Sequence, residues 1–173
     1  MKLKEFILLT AMLFAISSSV LGQKRSEIKP LPENASLAET QQWLADALGK
    51  HASYKTRFDA VTLSNIKISG CTVAFTETDK RNRVSTATMG TTRTTNVSKN
   101  DIIIDLAKVR ADGISLEDHI YPELQSIKIW YAGFDLAKGS TAGRIYYIVA
   151  KLEAAGAIKT ALVQIQRQCK SPK

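Results

Sequence analysis

Cysteine and histidine are scarce in this 173-residue chain, which has two of each. C-x-x-C and H-E-x-x-H do not occur. A catalytic zinc, which usually takes three protein ligands, would have to recruit carboxylates. G-x-S-x-G is missing as well. Ser115, Asp118 and His119 hold the residue types of a hydrolase triad, but at steps of three and one they do not easily form a line of nucleophile, base and orienter. The stretch Gly133 to Thr141, GFDLAKGST, has five residues between its glycines and no lysine after Gly139. It therefore lacks the phosphate-loop cradle and its counter-charge, and reads as a strand connection. Long apolar runs are also lacking, apart from 11 uncharged residues from Phe6 to Ile16. That is too short for a hydrocarbon core, which takes about 20 residues. With 45% hydrophobic and 23% charged residues, disorder and collagen-like repeats are excluded.

The apolar run sits between a basic start, Met1-Lys2-Leu3-Lys4, and a small-residue exit, Ser17 to Gly22, with Val20 and Gly22 at minus three and minus one. This is the form of a secretory signal peptide over residues 1–22, cut after Gly22 to leave a mature chain that starts at Gln23. The expected location is secreted or periplasmic, with no membrane span in the mature chain. Removing residues 1–22 takes two of the 24 basic and one of the 16 acidic groups, so 22 against 15 remain and the mature net charge is +7. Cys71 and Cys169 both fall on the secreted side, where disulfides persist, and are read as one bond. The alternative is a free Cys71 thiolate served by a base such as His119.

Residues 23–35, QKRSEIKPLPENA, are charged and proline-containing and read as a linker or loosely docked arm. Residues 36–173 read as a single α+β domain. Ser36-Leu37-Ala38-Glu39 has the S-x-x-E capping-box form. Leu37, Thr40, Trp43, Leu44, Ala47 and Leu48 then recur at helical steps, with Gly49 as the expected stop. From Tyr54 to Val149 β-branched and aromatic residues gather between turn signals, and a mainly antiparallel, twisted sheet of about five or six strands is expected. Thr78 to Asn82 reads as a hairpin tip and Val84 to Val97 as its return strand. From about Leu152 to Gln168, Ala155, Ile158, Leu162, Ile165 and Cys169 form the stripe of a C-terminal amphipathic helix, with Gln166 facing elsewhere.

An N-terminal helix with Trp43-Leu44, a strand cysteine, Cys71, inside SGCTV, the strand IIIDLAKV and the closing LEAAGAIKTALVQIQRQC resemble a group of small secreted bacterial proteins of unknown function. Those chains similarly end in an A-x-x-I-x-x-A-L helix followed by a cysteine. More weakly, the order resembles the pleckstrin-homology-like layout of a bent sheet closed by a C-terminal helix, with an extra N-terminal helix. Neither resemblance implies a catalytic residue, and no motif calls for a cofactor.

Three places remain as candidate sites. Lys80, Arg81 and Arg83 cluster at the expected hairpin tip, with Arg93 and Lys99 further on. They are either a solvated turn that blunts a sheet edge or a contact for an anionic surface. Nucleic acid is the weaker partner, because no aromatic is interleaved from Val84 to Val97. Lys128, Trp130, Tyr131 and Phe134 lie close together, and alternation puts Ile127, Ile129 and Tyr131 on one face with Lys128 and Trp130 on the other. There Trp130 is either covered by a helix or offered to a ligand. Glu117-Asp118-His119 with Glu123 is either an exposed acidic turn or a divalent-cation site. The leading expectation is a non-catalytic binding module for an unknown protein, glycan or anionic surface. Its alternatives are a small metal-dependent enzyme using residues 117–123 and a structural subunit of an envelope complex.

Overall fold

The computed structural model describes residues 28, 30–32, 34–87, 90–132 and 143–170. The signal peptide, Phe134 and the connection from Gly133 to Thr141 lie outside the described residues. Helix α1, Leu37–His51, begins as its capping box requires. The Ser36 amide donates to Glu39 Oε2 at 2.8 Å, and the Glu39 amide donates to Ser36 Oγ at 3.3 Å. Its inner stripe is Thr40, Leu44, Ala47, Leu48 and His51. Gly49 does not stop the helix, which runs on to His51 and is capped by Ala52.

Among the described residues seven strands follow rather than five or six, in two antiparallel sheets. The first holds β1 Tyr54–Lys55, β2 Asp59–Ser69, β3 Thr72–Ala87 and β4 Gly90–Asp105 in that order. A 3-10 turn, Leu106–Lys108, leads to the second sheet of β5 Val109–Asp118, β6 Leu124–Ala132 and β7 Gly143–Lys151. Strand β7 passes directly into helix α2, Leu152–Lys170. Leu63, Val73, Phe75 and Ile104 from the first sheet, and Ile114, Ile127, Ile129 and Ile148 from the second, are buried in one cluster. Leu44 and Leu48 of α1 and Ile158, Leu162 and Ile165 of α2 belong to it too. Ile28 and Leu31, from the stretch read as an arm, pack against its rim.

Two strands depart from regular pairing. On β2 the register steps three residues from Ser64 to Lys67 against two on β3, and Asn65 takes a φ of 53°. Its side-chain amide donates to Thr76 Oγ1 at 3.3 Å, and Thr76 Oγ1 donates to Asp101 Oδ1 at 2.7 Å, so the buried threonine is satisfied. On β5 the register advances five residues from Val109 to Ile114 against two on β6. Gly113 sits in this bulge, where a Cβ would stand 2.4 Å from the Trp130 carbonyl oxygen. The carbonyls of Val109 and Arg110, where the bulge begins, accept from side chains of α2. Gln166 donates to them from Nε2 at 3.0 and 2.6 Å, and Lys170 Nζ also donates to Val109. Gln166 is therefore buried on α2 instead of facing away.

Cys71 and Cys169 form a disulfide with a Cα–Cα distance of 5.8 Å. Cys71 is not inside a core strand. It occupies the two-residue turn between Ser69 and Thr72, after Gly70 at a φ of +54°. Glycine first in a two-residue hairpin loop accommodates that backbone without a Cβ penalty. The bond fastens the last turn of α2 to this hairpin.

Candidate functional site

The basic residues stand on a ribbon instead of a tip. Strand β3 does not turn at 78–82. It pairs continuously with β4 from Thr72↔Asp105 to Ala87↔Gly90, so Lys80, Arg81 and Arg83 are mid-strand. The last β2 partner is Asp59, opposite Arg81, and beyond this point the two strands continue alone. Thr78 and Asp79 are still partly buried, but from Lys80 to Val84 the strand is exposed on both faces, and no buried face imposes alternation there. Successive side chains take opposite faces, which separates Lys80 from Arg81. Arg81 Nε meets Asp79 Oδ2 at 2.7 Å, and this partner holds the guanidinium pKa above its ordinary value. Arg57, Arg83 and Arg93 line a shallow depression of about 340 Å³ with Phe58, Asn82 and Thr95. The Arg57 guanidinium lies 5.4 Å from the Phe58 ring centroid, and that ring is 46% exposed.

The second candidate is the outer face of the second sheet. Ile127 and Ile129 are fully buried, so Lys128 and Trp130 face outward as the alternation required. Lys128 Nζ donates to Glu117 Oε1 at 2.7 Å, and this hydrogen bond raises the ammonium pKa. Trp130 is 37% exposed. The Arg110 guanidinium lies over its ring, 4.2 Å from the centroid. The register sets Tyr147 beside Lys128 and Ile145 beside Trp130, and these two are 42% and 49% exposed. An apolar face of three side chains results, flanked by charges that already have partners. Tyr131 pairs with Arg144 on β7 and with Val109 on β5.

The acidic segment splits apart. Glu117 serves Lys128, while His119 Nδ1 accepts the Tyr121 amide at 3.2 Å, and the imidazole lies against the rings of Tyr54 and Tyr121. Among the described residues no three of His, Cys, Asp and Glu stand together as a metal site. The disulfide removes the Cys71 thiolate reading.

One site escaped the sequence. Strand β3 presents Val73 and Phe75 to the core, and the same alternating row continues with Glu77, Asp79 and Arg81. Where the row leaves the core, a cavity of about 170 Å³ opens against β7. Tyr146 donates its hydroxyl to Glu77 Oε2 at 2.6 Å and packs against Phe75 at 6.0 Å between centroids. Burial first, then the Glu77 hydrogen bond, drives the Tyr146 pKa far up. Tyr54 is pushed up to about 12 by burial, then by the charges of Asp79, Asp59 and Glu77. The period-two step from Phe75 to Glu77 and Asp79 was the available signal.

No family model matches this chain, and no curated protein or solved structure matches it. A disulfide, and the lack of any helix among the described residues long and apolar enough to cross a membrane, are compatible with an extracellular or periplasmic protein.

Proposed function

We propose that this chain is a secreted or periplasmic binding module that acts by contact, and that its β3–β4 ribbon holds an acidic glycan or another anionic surface polymer. One observation carries the reading. Between Lys80 and Asn100 the sequence has five basic residues and no acidic one, and this segment outruns the sheet that supports it. Exposed cations gathered in this way raise the local concentration of a polyanion through their summed field. The depression between Arg57, Arg83 and Arg93 adds donors in fork geometry, which suit carboxylate, sulfate and phosphate oxygens.

A second contact is favoured by the outer face of Trp130, Ile145 and Tyr147, which supplies apolar area without an unpaired charge. Chromatography on immobilised heparin, with the mature oxidised chain, tests the ribbon. The wild type is expected to be retained, and Arg83→Glu with Arg93→Glu to elute at clearly lower salt with its circular dichroism unchanged. Failure of the wild type to bind at low salt, or co-elution of the folded variant with it, overturns the reading.

A further inference from the structure

We propose that the open edge of β7 is a docking site for an extended basic segment of a partner protein, whose arginine or lysine head enters the cavity between Glu77 and Asp79. The site adjoins the ribbon at Arg81 and is opposite to it in charge. Among the described residues, strand β7 has β6 as its one strand neighbour and lies at the edge of its sheet. Such an edge offers unpaired backbone N–H and C=O groups to an incoming strand. Four consecutive residues of it, Tyr146 to Val149, line the cavity, so the open edge and the pocket are one feature.

The far wall of the cavity is acidic. Glu77 and Asp79 line it, and Asp59 stands opposite Arg81 on the neighbouring strand. Arg81 lines the same cavity and pairs with Asp79, so two carboxylates share it with one guanidinium, within a chain whose formal charge is +8. Their donors do not fill them. Arg81 occupies Asp79 Oδ2, whereas Asp79 Oδ1 is buried and has no hydrogen-bond partner, on a side chain only 13% exposed. Leaving such an acceptor unmet in a dry place is unfavourable, and a cation with several N–H donors removes the penalty. Tyr146 binds Glu77 through Oε2, and the Tyr54 and Tyr146 side chains both line the cavity, where aromatic faces attract a cation. The volume of about 170 Å³ admits a side-chain head and leaves the partner's backbone outside, along β7. Alternation along an added strand sends one side chain inward while its neighbours point away from the cavity.

The test uses the full mature chain, oxidised and isotope-labelled, with amide shifts followed by NMR. n-Butylguanidinium is expected to bind saturably and move the amides of residues 77–81 and 146–149, and the isosteric neutral n-butylurea to leave them in place. The capped peptide acetyl-Thr-Val-Arg-Val-Thr-amide is expected to bind about tenfold more tightly than n-butylguanidinium. N-methylation of its alternate amides should remove that gain, because the gain comes from backbone pairing. Asp79→Asn and Glu77→Gln should each weaken the peptide by about tenfold while heparin retention persists. Equal responses to n-butylguanidinium and n-butylurea, or folded Glu77→Gln protein with unchanged affinity, overturn the cavity assignment. A peptide no tighter than n-butylguanidinium overturns the strand addition.

Discussion

Replacing both Cys71 and Cys169 by alanine tests the link between the C-terminal helix and the first sheet. The bond closes a loop of 98 residues. In the chain-entropy account this removes roughly 4–5 kcal/mol of unfolded-state freedom, and a native Cα separation of 5.8 Å needs no backbone shift to make the bond. Domains of this kind are stable by about 5–15 kcal/mol, so the loss takes a large share of the total. Urea unfolding followed by circular dichroism should show the midpoint falling by about 2 M, for slopes of about 1–3 kcal/mol per molar. The slope itself should rise, because the unbridged denatured chain exposes more surface. Hydrogen exchange should quicken first in the last turn of α2, where Gln166 and Lys170 reach the β5 bulge. Polyanion retention should persist, since no ribbon cation touches the bond. A double variant within about 1 kcal/mol of the wild type would refute the loop-entropy reasoning.

Gly113→Ala places a Cβ 2.4 Å from the Trp130 carbonyl oxygen, and thermal unfolding should show a loss of about 1–3 kcal/mol with altered Trp130 fluorescence. His51 is buried, and its pKa is lowered first by that burial and then by Lys151, with Glu153 opposing and Lys50 adding. Below pH 6.5 the unfolded chain therefore gains a proton that the native chain refuses, so stability should fall as pH drops from 7 towards 5, and His51→Gln should flatten that slope in urea titrations. Tyr54 works in the opposite direction: its unfolded pKa is 10.0 and its native one about 12, so stability should be lost as pH rises through this interval. Ultraviolet titration of Tyr54→Phe should lack one late-ionising phenol, and its absence from the wild type as well would contradict the burial of that ring.

Much of the helical part was legible because its determinants are local. The Ser36–Glu39 box and the steps from Leu37 to Leu48 lie within one segment, and so does the α2 stripe. The strands were harder for a physical reason. Periodicity appears only where one face is dry, as at Ile127 and Ile129, and β3 beyond Asp79 has no dry face. A glycine required for close approach across a bulge, such as Gly113, is indistinguishable in sequence from one required for a turn. Gln166 looked exposed because its partners, the Val109 and Arg110 carbonyls, lie where that bulge begins, on a strand distant in sequence. The acidic cavity needs Glu77 and Tyr146, 69 positions apart, and nothing local couples them.

Along one face β3 passes from Val73 and Phe75 through Glu77 and Asp79 to Arg81 and Arg83, from a dry interior through a half-wet rim to water. The Asp79–Arg81 pair stands at the boundary between the two surfaces proposed for binding, and its charges sum to zero. Removing both with Asp79→Asn and Arg81→Gln should leave the field of the ribbon nearly unchanged, whereas Arg83→Gln removes a whole positive charge. The neutral double variant should therefore elute from heparin with the wild type, and Arg83→Gln earlier. The logarithmic salt dependence should fall by about 0.7–0.9 for each lost contact, the value for polyanions with the charge density of nucleic acid. The same double variant should lose affinity for the guanidinium probe, because the carboxylate charge at position 79 is gone. If it lost both activities together, the ribbon and the cavity would have to be one site, and the division of charge along β3 would not be the basis of recognition.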